Sequence, residues 1–215
     1  MSKSSTSFAR APARFKPQPR VLILCEDTKS SLDYLVDAAH HFRSYAQVRI
    51  AHCGKTDPEG IVDEAVNKRG NFDKIFCVID RDNHETFDAA VDRPQSFHPD
   101  IELVPSYPCY EFWLLLHFRF TRGPVNSVGT QSAGARMASE LRAQPTMDKD
   151  DKGSTSSIFK QLFDRLPVAR SNAARALAAA FTDAEMNPST RMHLLIDELE
   201  RLGSPILLDG AGSAV

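Results

Sequence analysis

Cysteine is scarce in this chain: Cys25, Cys53, Cys77 and Cys109 are its only four. No two of them form a C-x-x-C, which argues against a thiolate zinc site and a disulfide framework. Cys25 and Cys77 sit inside apolar runs, where cysteine acts as a small hydrophobe, so reduced thiols and a cytoplasmic protein are expected. No apolar run approaches the roughly 18 residues of a membrane span, and the N-terminal stretch has no apolar core of a signal peptide, so no membrane association is expected. A G-x-x-x-x-G-K-[ST] phosphate loop is absent, so any ATP hydrolysis must come from a partner. Excess positive charge is missing too: 26 Lys and Arg stand against 28 Asp and Glu. Without a basic stripe, tight unaided binding to a long duplex is not expected.

What the chain does have is order in its hydrophobicity. The first 19 residues carry Lys3, Arg10, Arg14 and Lys16 with no acid, and are rich in Ser, Ala and Pro; they read as a disordered basic arm. "VLILCE" (Val21–Glu26) then reads as a strand buried on both faces. "SSLDYLVDAAHHF" has helical spacing, with Ser30 or Ser31 able to cap its start. "AQVRIAHCG" is a second strand. "DPEGIVDEAVNKRG" is a helix with Asp57 as N-cap, Pro58 at its first position and Gly70 as its stop. "KIFCVID" (Lys74–Asp80) is a third strand. Alternating strands and helices predict a parallel sheet flanked by helices, an α/β core over residues 20–120. A helix near Glu85–Asp92, a strand at Ile101–Pro105 and a helix over "CYEFWLLLHF" continue it, with Trp113, Leu114–Leu116 and Phe118 in the core. A Gly-, Ser- and Thr-rich loop near residue 121 opens a C-terminal helical region, 121–205, with helices predicted near 133–143, 154–165, 170–181 and 189–202. The tail 206–215 reads as flexible.

The chemistry gathers where strands end. Glu26 closes the first strand; Asp80 and Asp82 close the third. In a parallel sheet, ligands collect beyond the carboxyl ends of the strands where the strand order switches. If the first and third strands are neighbours, these three carboxylates converge there. Oxygen donors without a thiolate or imidazole pair suit Mg²⁺ or Mn²⁺. Asp82 and Asp80 are equally compatible with loop-forming or capping roles. Haloacid-dehalogenase-type phosphatases carry a D-x-D after the first strand, not the third, and D-x-D nucleotide-sugar transferases are usually longer chains.

A Glu after the first strand and a D-x-D after the third resemble a Toprim domain. More closely, the chain resembles the RloB family, Toprim-like proteins of bacterial restriction and abortive-infection loci. The resemblance is carried by "LILCED", "VIDRDNH", "SYPCYEFWLLLHF" (Ser106–Phe118) and "NPSTRMHLLIDEL" (Asn187–Leu199), and spans roughly residues 20–202. Asp27 stands where Toprim proteins usually have Gly, adding negative charge at the site, and "CEDTKSS" lacks the Thr-Glu pair of RloB relatives. The resemblance implies Glu26 as general base or acid, Asp80 and Asp82 as metal ligands, Glu111 as a fourth acid and His84 as a phosphate contact or proton donor. Lys152 in "KDDKGS", and Asn187, Thr190 and His193 at the predicted start of the last helix, are candidate substrate contacts.

The expected activity is a metal-dependent nuclease acting on RNA or DNA in anti-phage defence. The alternative is a non-catalytic regulatory or effector subunit beside an ATPase, with the acids structural. A glycosyl- or nucleotidyl-transferase is a third reading. Tyr107 and Tyr110 lie near the proposed site and also fit aromatic packing.

Overall fold

The computed structural model describes residues 17–81, 87–91, 100–147 and 157–204. Among these, five strands form one sheet in the order β2-β1-β3-β4-β5: β1 Val21–Cys25, β2 Val48–His52, β3 Lys74–Asp80, β4 Ile101–Tyr107 and β5 Ser189–Thr190. β1 pairs in parallel with β2 and β3, and β3 with β4; only β5 is antiparallel, set against Ser106 and Tyr107. The α/β class is as the alternating pattern predicts. The basic-arm residues 1–16, the tail from residue 205, and the segment holding Asp82, His84 and Glu85 lie outside the described residues, as does Lys152.

Side-chain alternation along the strands divides the core into two layers. Val21, Ile23, Cys25, Phe76, Val78 and Val104 face helix α1 (Ser30–His41) and the helices of the C-terminal half. Leu22, Leu24, Ile75, Cys77, Ile79 and Leu103 face helix α2 (Pro58–Lys68) and the helical residues 87–91. Burial pushes the Cys25 thiol up to about 12 and raises Cys77 further, and both are free thiols. They stay protonated and act as apolar packing.

Helix starts follow local chemistry, with one correction. The Asp57 carboxylate accepts from the Gly60 N–H at 2.7 Å, and Pro58 occupies the first turn of α2. At α1 neither Ser30 nor Ser31 is the cap acceptor. Asp27 takes that role, accepting from the N–H of Lys29 at 2.8 Å, from the Ser31 N–H at 3.0 Å and from the Ser31 hydroxyl. A carboxylate three or four residues upstream reaches the first-turn N–H groups that a serine inside the helix cannot. Gly70 lies in a 3-10 turn, Arg69–Asn71, that follows α2.

The "CYEFWLLLHF" segment forms a short helix α3, Glu111–Leu115, whose Phe112, Trp113 and Leu114 are buried. Trp113 stands edge-on to Tyr34 at 6.3 Å. Helix α4 (Ala133–Arg142) follows the predicted loop. Helix α5 (Ile158–Leu162) runs through a 3-10 turn into α6 (Leu166–Asp183), which starts earlier than the alanine-rich stretch suggests because Pro167 fits its first turn. The last helix, α7, spans Met192–Leu202, not 189–202. Its expected first turn is spent as β5. There the Thr190 hydroxyl bonds Ser106 Oγ at 2.9 Å and accepts from the Met192 N–H at 3.2 Å.

Gly203 ends α7 because of space, not backbone torsion; its φ is −73°. A β-carbon there would lie 2.8 Å from the Phe42 carbonyl carbon and closer still to its oxygen. Both sides of that contact are backbone, so Gly203→Ala must push the ends of α1 and α7 apart. We expect a loss of about 2–3 kcal/mol in chemical denaturation; an unchanged midpoint would show that these ends part freely.

Candidate functional site

β1 leads through α1 outward to β2, and β2 leads through α2 back across to β3. The strand order therefore reverses between β1 and β3, and the crevice at their carboxyl ends is where such a sheet binds ligands. Glu26 directly follows β1, and Asp80 is the last residue of β3. The fold joins them: the Asp80 backbone N–H donates to Glu26 Oε2 at 3.0 Å.

The Asp80 side chain is the electrostatic centre of the site. It lies deep among protein atoms, though part of its surface reaches solvent. Its carboxyl is held well above the usual range, first by desolvation, then by the charges of Glu26 and Glu111, with a smaller push from Asp27. A hydrogen bond from the Tyr110 backbone opposes this by favouring the ionised form. Glu111 enters as the first residue of α3 and also raises the Cys109 thiol, for which burial is the larger cause. Three carboxylates thus act on Asp80 from the end of β1, the start of α1 and the start of α3. Such an arrangement is relieved by a proton or by a cation.

The donor set is hard oxygen, which fits Mg²⁺ or Mn²⁺. Among the described residues, no three His, Cys, Asp or Glu side chains stand together in metal-holding geometry. Asp80 and Glu26, joined through the Asp80 N–H, suit a cation that takes one or two carboxylates and keeps much of its water, as Mg²⁺ commonly does. Asp27, whose charge sequence reasoning placed at the site, turns its carboxylate to the first turn of α1 and contributes to Asp80 only at a distance.

The other predicted residues divide. Asp82, His84 and Lys152 lie outside the described residues. Asn187 staples the loop after α3, donating to the Val125 carbonyl at 3.0 Å and accepting from its N–H at 3.2 Å. Thr190 is buried in β5 and engaged with Ser106 and Met192. Ser106 is the direct partner of Asp80 across β3 and β4, so Thr190 stands two strands from the acid, about 10 Å away. His193 is 6% exposed in the first turn of α7, and its Nδ1 has no hydrogen-bond partner among the described residues.

Tyr110, read from the sequence as near the site and fit for aromatic packing, is buried; beyond its backbone bond to Asp80, its hydroxyl has no hydrogen-bond partner among the described residues. One neighbour of the acids escaped the sequence reading. Ser106 had no signal, because only the register of β3 with β4 sets it opposite Asp80.

No curated protein and no solved structure matches the chain. One protein-family model does, the one described as RloB-like protein, over residues 21–199.

Proposed function

Because the chain belongs to the RloB-like protein family, we propose that it is a metal-dependent nuclease with a Toprim-like site, acting on RNA or DNA in the cytoplasm as part of anti-phage defence. The observation that supports this best is Asp80: a carboxylate at the topological switch point, bonded through its backbone to Glu26 and destabilised as an anion by three further acids. A structural Asp gains nothing from such surroundings. A cation-binding Asp is poised by them.

Asp80 and Glu26 would hold Mg²⁺ or Mn²⁺, with Asp82 two residues beyond Asp80 as a further candidate. When bound, the cation neutralises charge on a phosphodiester in the transition state. Glu26 is oriented by the Asp80 N–H, which fixes one carboxylate oxygen and so sets the direction of the other. That suits a group moving a proton to or from the attacking water or the leaving oxygen. Glu111 keeps the local field negative and favours cation entry.

The structural use of two of the acids, Asp27 capping α1 and Glu26 accepting from the Asp80 backbone, favours a second reading: a regulatory or effector subunit of a defence complex beside an ATPase, with the acids serving the fold. One assay separates the two. Purified protein is incubated with total RNA, transfer RNA, single-stranded DNA and plasmid, in Mg²⁺, Mn²⁺ or EDTA, beside Glu26→Gln and Asp80→Ala. We expect metal-dependent cutting that falls by about 100-fold or more in either variant. No cutting of any substrate, together with no Mn²⁺ binding by calorimetry, would favour the regulatory subunit.

A further inference from the structure

Around the lip of the sheet from Asp80 lies a second group that the acid site does not use. β4 is flanked by β3 on one side and β5 on the other. Arg81 follows β3 and donates its N–H to the Ser106 carbonyl at 2.9 Å; Arg191 follows β5 and donates its N–H to the Pro105 carbonyl at 3.1 Å. Both bonds go to β4 from opposite sides: Arg81 comes level with Tyr107, while Arg191 faces Pro105, two residues back on the same face of the strand, and both act on the Tyr107 hydroxyl. Tyr107 packs edge-on against Phe87 at 5.2 Å, in the core layer opposite the one that Val78 faces. The Arg81 guanidinium lies over the same Phe87 ring at 5.5 Å and is 3.7 Å from Asp88. Both guanidiniums, and Asp88, act electrostatically on the Tyr107 hydroxyl.

Stability does not account for Arg191. It is the N-cap residue of α7 and brings no side-chain cap. The positive end of the helix dipole disfavours a cation there, and among the described residues Arg191 has no ion-pair partner. An anion would satisfy the guanidinium, the dipole and the phenol at once.

We propose that Arg81, Tyr107 and Arg191 form a subsite for the sugar–phosphate backbone of a single-stranded nucleic acid, gripping phosphates next to the one presented to Asp80 and Glu26. This rests on the nuclease reading for its register, not for its chemistry. Arg81 directly follows Asp80, and strand alternation sends neighbouring side chains to opposite faces. A strand crossing the sheet lip therefore meets the acids on one side and the arginines on the other. Across β4 the two arginines stand about two strand spacings apart, roughly 10 Å, which suits one strand. The charge balance of the chain, 26 Lys and Arg against 28 Asp and Glu, does not favour a duplex.

The test is fluorescence polarisation with labelled oligomers of about twelve nucleotides, one oligo-U RNA and one oligo-dT DNA, in EDTA so that nothing is cut. The full-length protein is titrated between about 50 and 200 mM salt. Arg81→Gln and Arg191→Gln should each weaken binding roughly tenfold and lower the salt slope by about 0.7, and the double variant by about 1.4. Tyr107→Phe should weaken binding severalfold without changing the slope. Arg142→Gln, on the exposed side of α4, should change neither, and circular dichroism melts confirm that each variant folds. The inference is overturned if the double variant binds with wild-type affinity and slope, or if the wild type binds neither oligomer at low salt. Binding with neither cleavage nor Mn²⁺ binding would sink the nuclease reading alone; cleavage with unaltered binding in the double variant would sink this one alone. Comparison of the two oligomers tells RNA from DNA.

Discussion

Asp80→Asn should melt above the wild type at neutral pH, by roughly 2–8 °C, while losing its response to Mn²⁺. The first part follows from sign. The folded-state pKa of Asp80 is raised, so the fold binds its proton more tightly than the unfolded chain does. Stability contributed by that proton is present at low pH and is lost as pH rises from the ordinary aspartate range through the raised folded value. At neutral pH, above the ordinary aspartate range, the wild type has lost stability because ionising Asp80 among Glu26, Glu111 and Asp27 is unfavourable. Asparagine removes the charge, keeps an oxygen to accept from the Tyr110 N–H, and turns a donor amide toward acids. A gain of about 1–2 kcal/mol is typical for relieving a functional site, and a chain of this length converts it at about 2–4 °C per kcal/mol. The advantage should vanish near pH 4, where the wild-type carboxyl is protonated. The second part follows from linkage. Mn²⁺ at about a hundred times its dissociation constant adds about 2.7 kcal/mol to a protein that binds it only when folded. Wild type should gain this and Asp80→Asn should not. An asparagine variant that melts below the wild type at neutral pH would mean that the carboxylate is well satisfied as an anion, and the argument for a poised cation site would collapse.

The two halves of this site were not equally legible. Glu26 and Asp80 stand at the ends of apolar runs too strong to misread, but a β-α-β-α-β pattern leaves open whether the first and third strands are neighbours; the sheet order makes them so. The fold supplied what the sequence lacked, the Asp80 N–H to Glu26 bond and the entry of Glu111 through α3. Asp27 was visible as a charge, but its use as a cap depends on where the helix backbone begins, a matter of one or two residues. β5 is two residues long, too short for any periodicity, and its partner lies far back in the chain. Ser189 and Thr190 therefore read as a helix start. Arg81 and Arg191 belong to separate motifs with no spacing to link them. Only the position of β4 between β3 and β5 makes them neighbours. Local order was written in the sequence, while long-range register had to be seen.

Below about pH 6.5 the wild type should lose stability that a His117→Gln variant keeps, with a differential of about 3 kcal/mol by pH 4. His117 is 1% exposed beneath the site, between Tyr34, Trp113 and the C-terminal helices. Its Nδ1 lies 3.1 Å from the Trp113 carbonyl and its Nε2 3.2 Å from the Tyr34 hydroxyl. A carbonyl can only accept, so Nδ1 carries the proton; Nε2 then accepts from the Tyr34 O–H, and the ring is neutral. Burial pushes its pKa down to about 4 from 6.5, against the smaller pull of the Trp113 carbonyl. The sign opposes that of Asp80. Between pH 6.5 and 4 the unfolded chain takes up a proton that the folded ring refuses, so stability rises with pH through that window and is fully lost below it. Both groups titrate on acidification, and the wild-type curve alone would show only their sum. Glutamine separates them, because its amide can donate to Trp113 and its oxygen accept from Tyr34 without titrating. At pH 7 the variant should pay about 1–2 kcal/mol for imperfect packing in a site shaped for an imidazole. At pH 4.5 the order should narrow or reverse. Parallel curves for the two proteins would mean that His117 is protonated in the folded state, and the neutral Tyr34–His117–Trp113 chain supporting α3, and with it Glu111, would be misassigned.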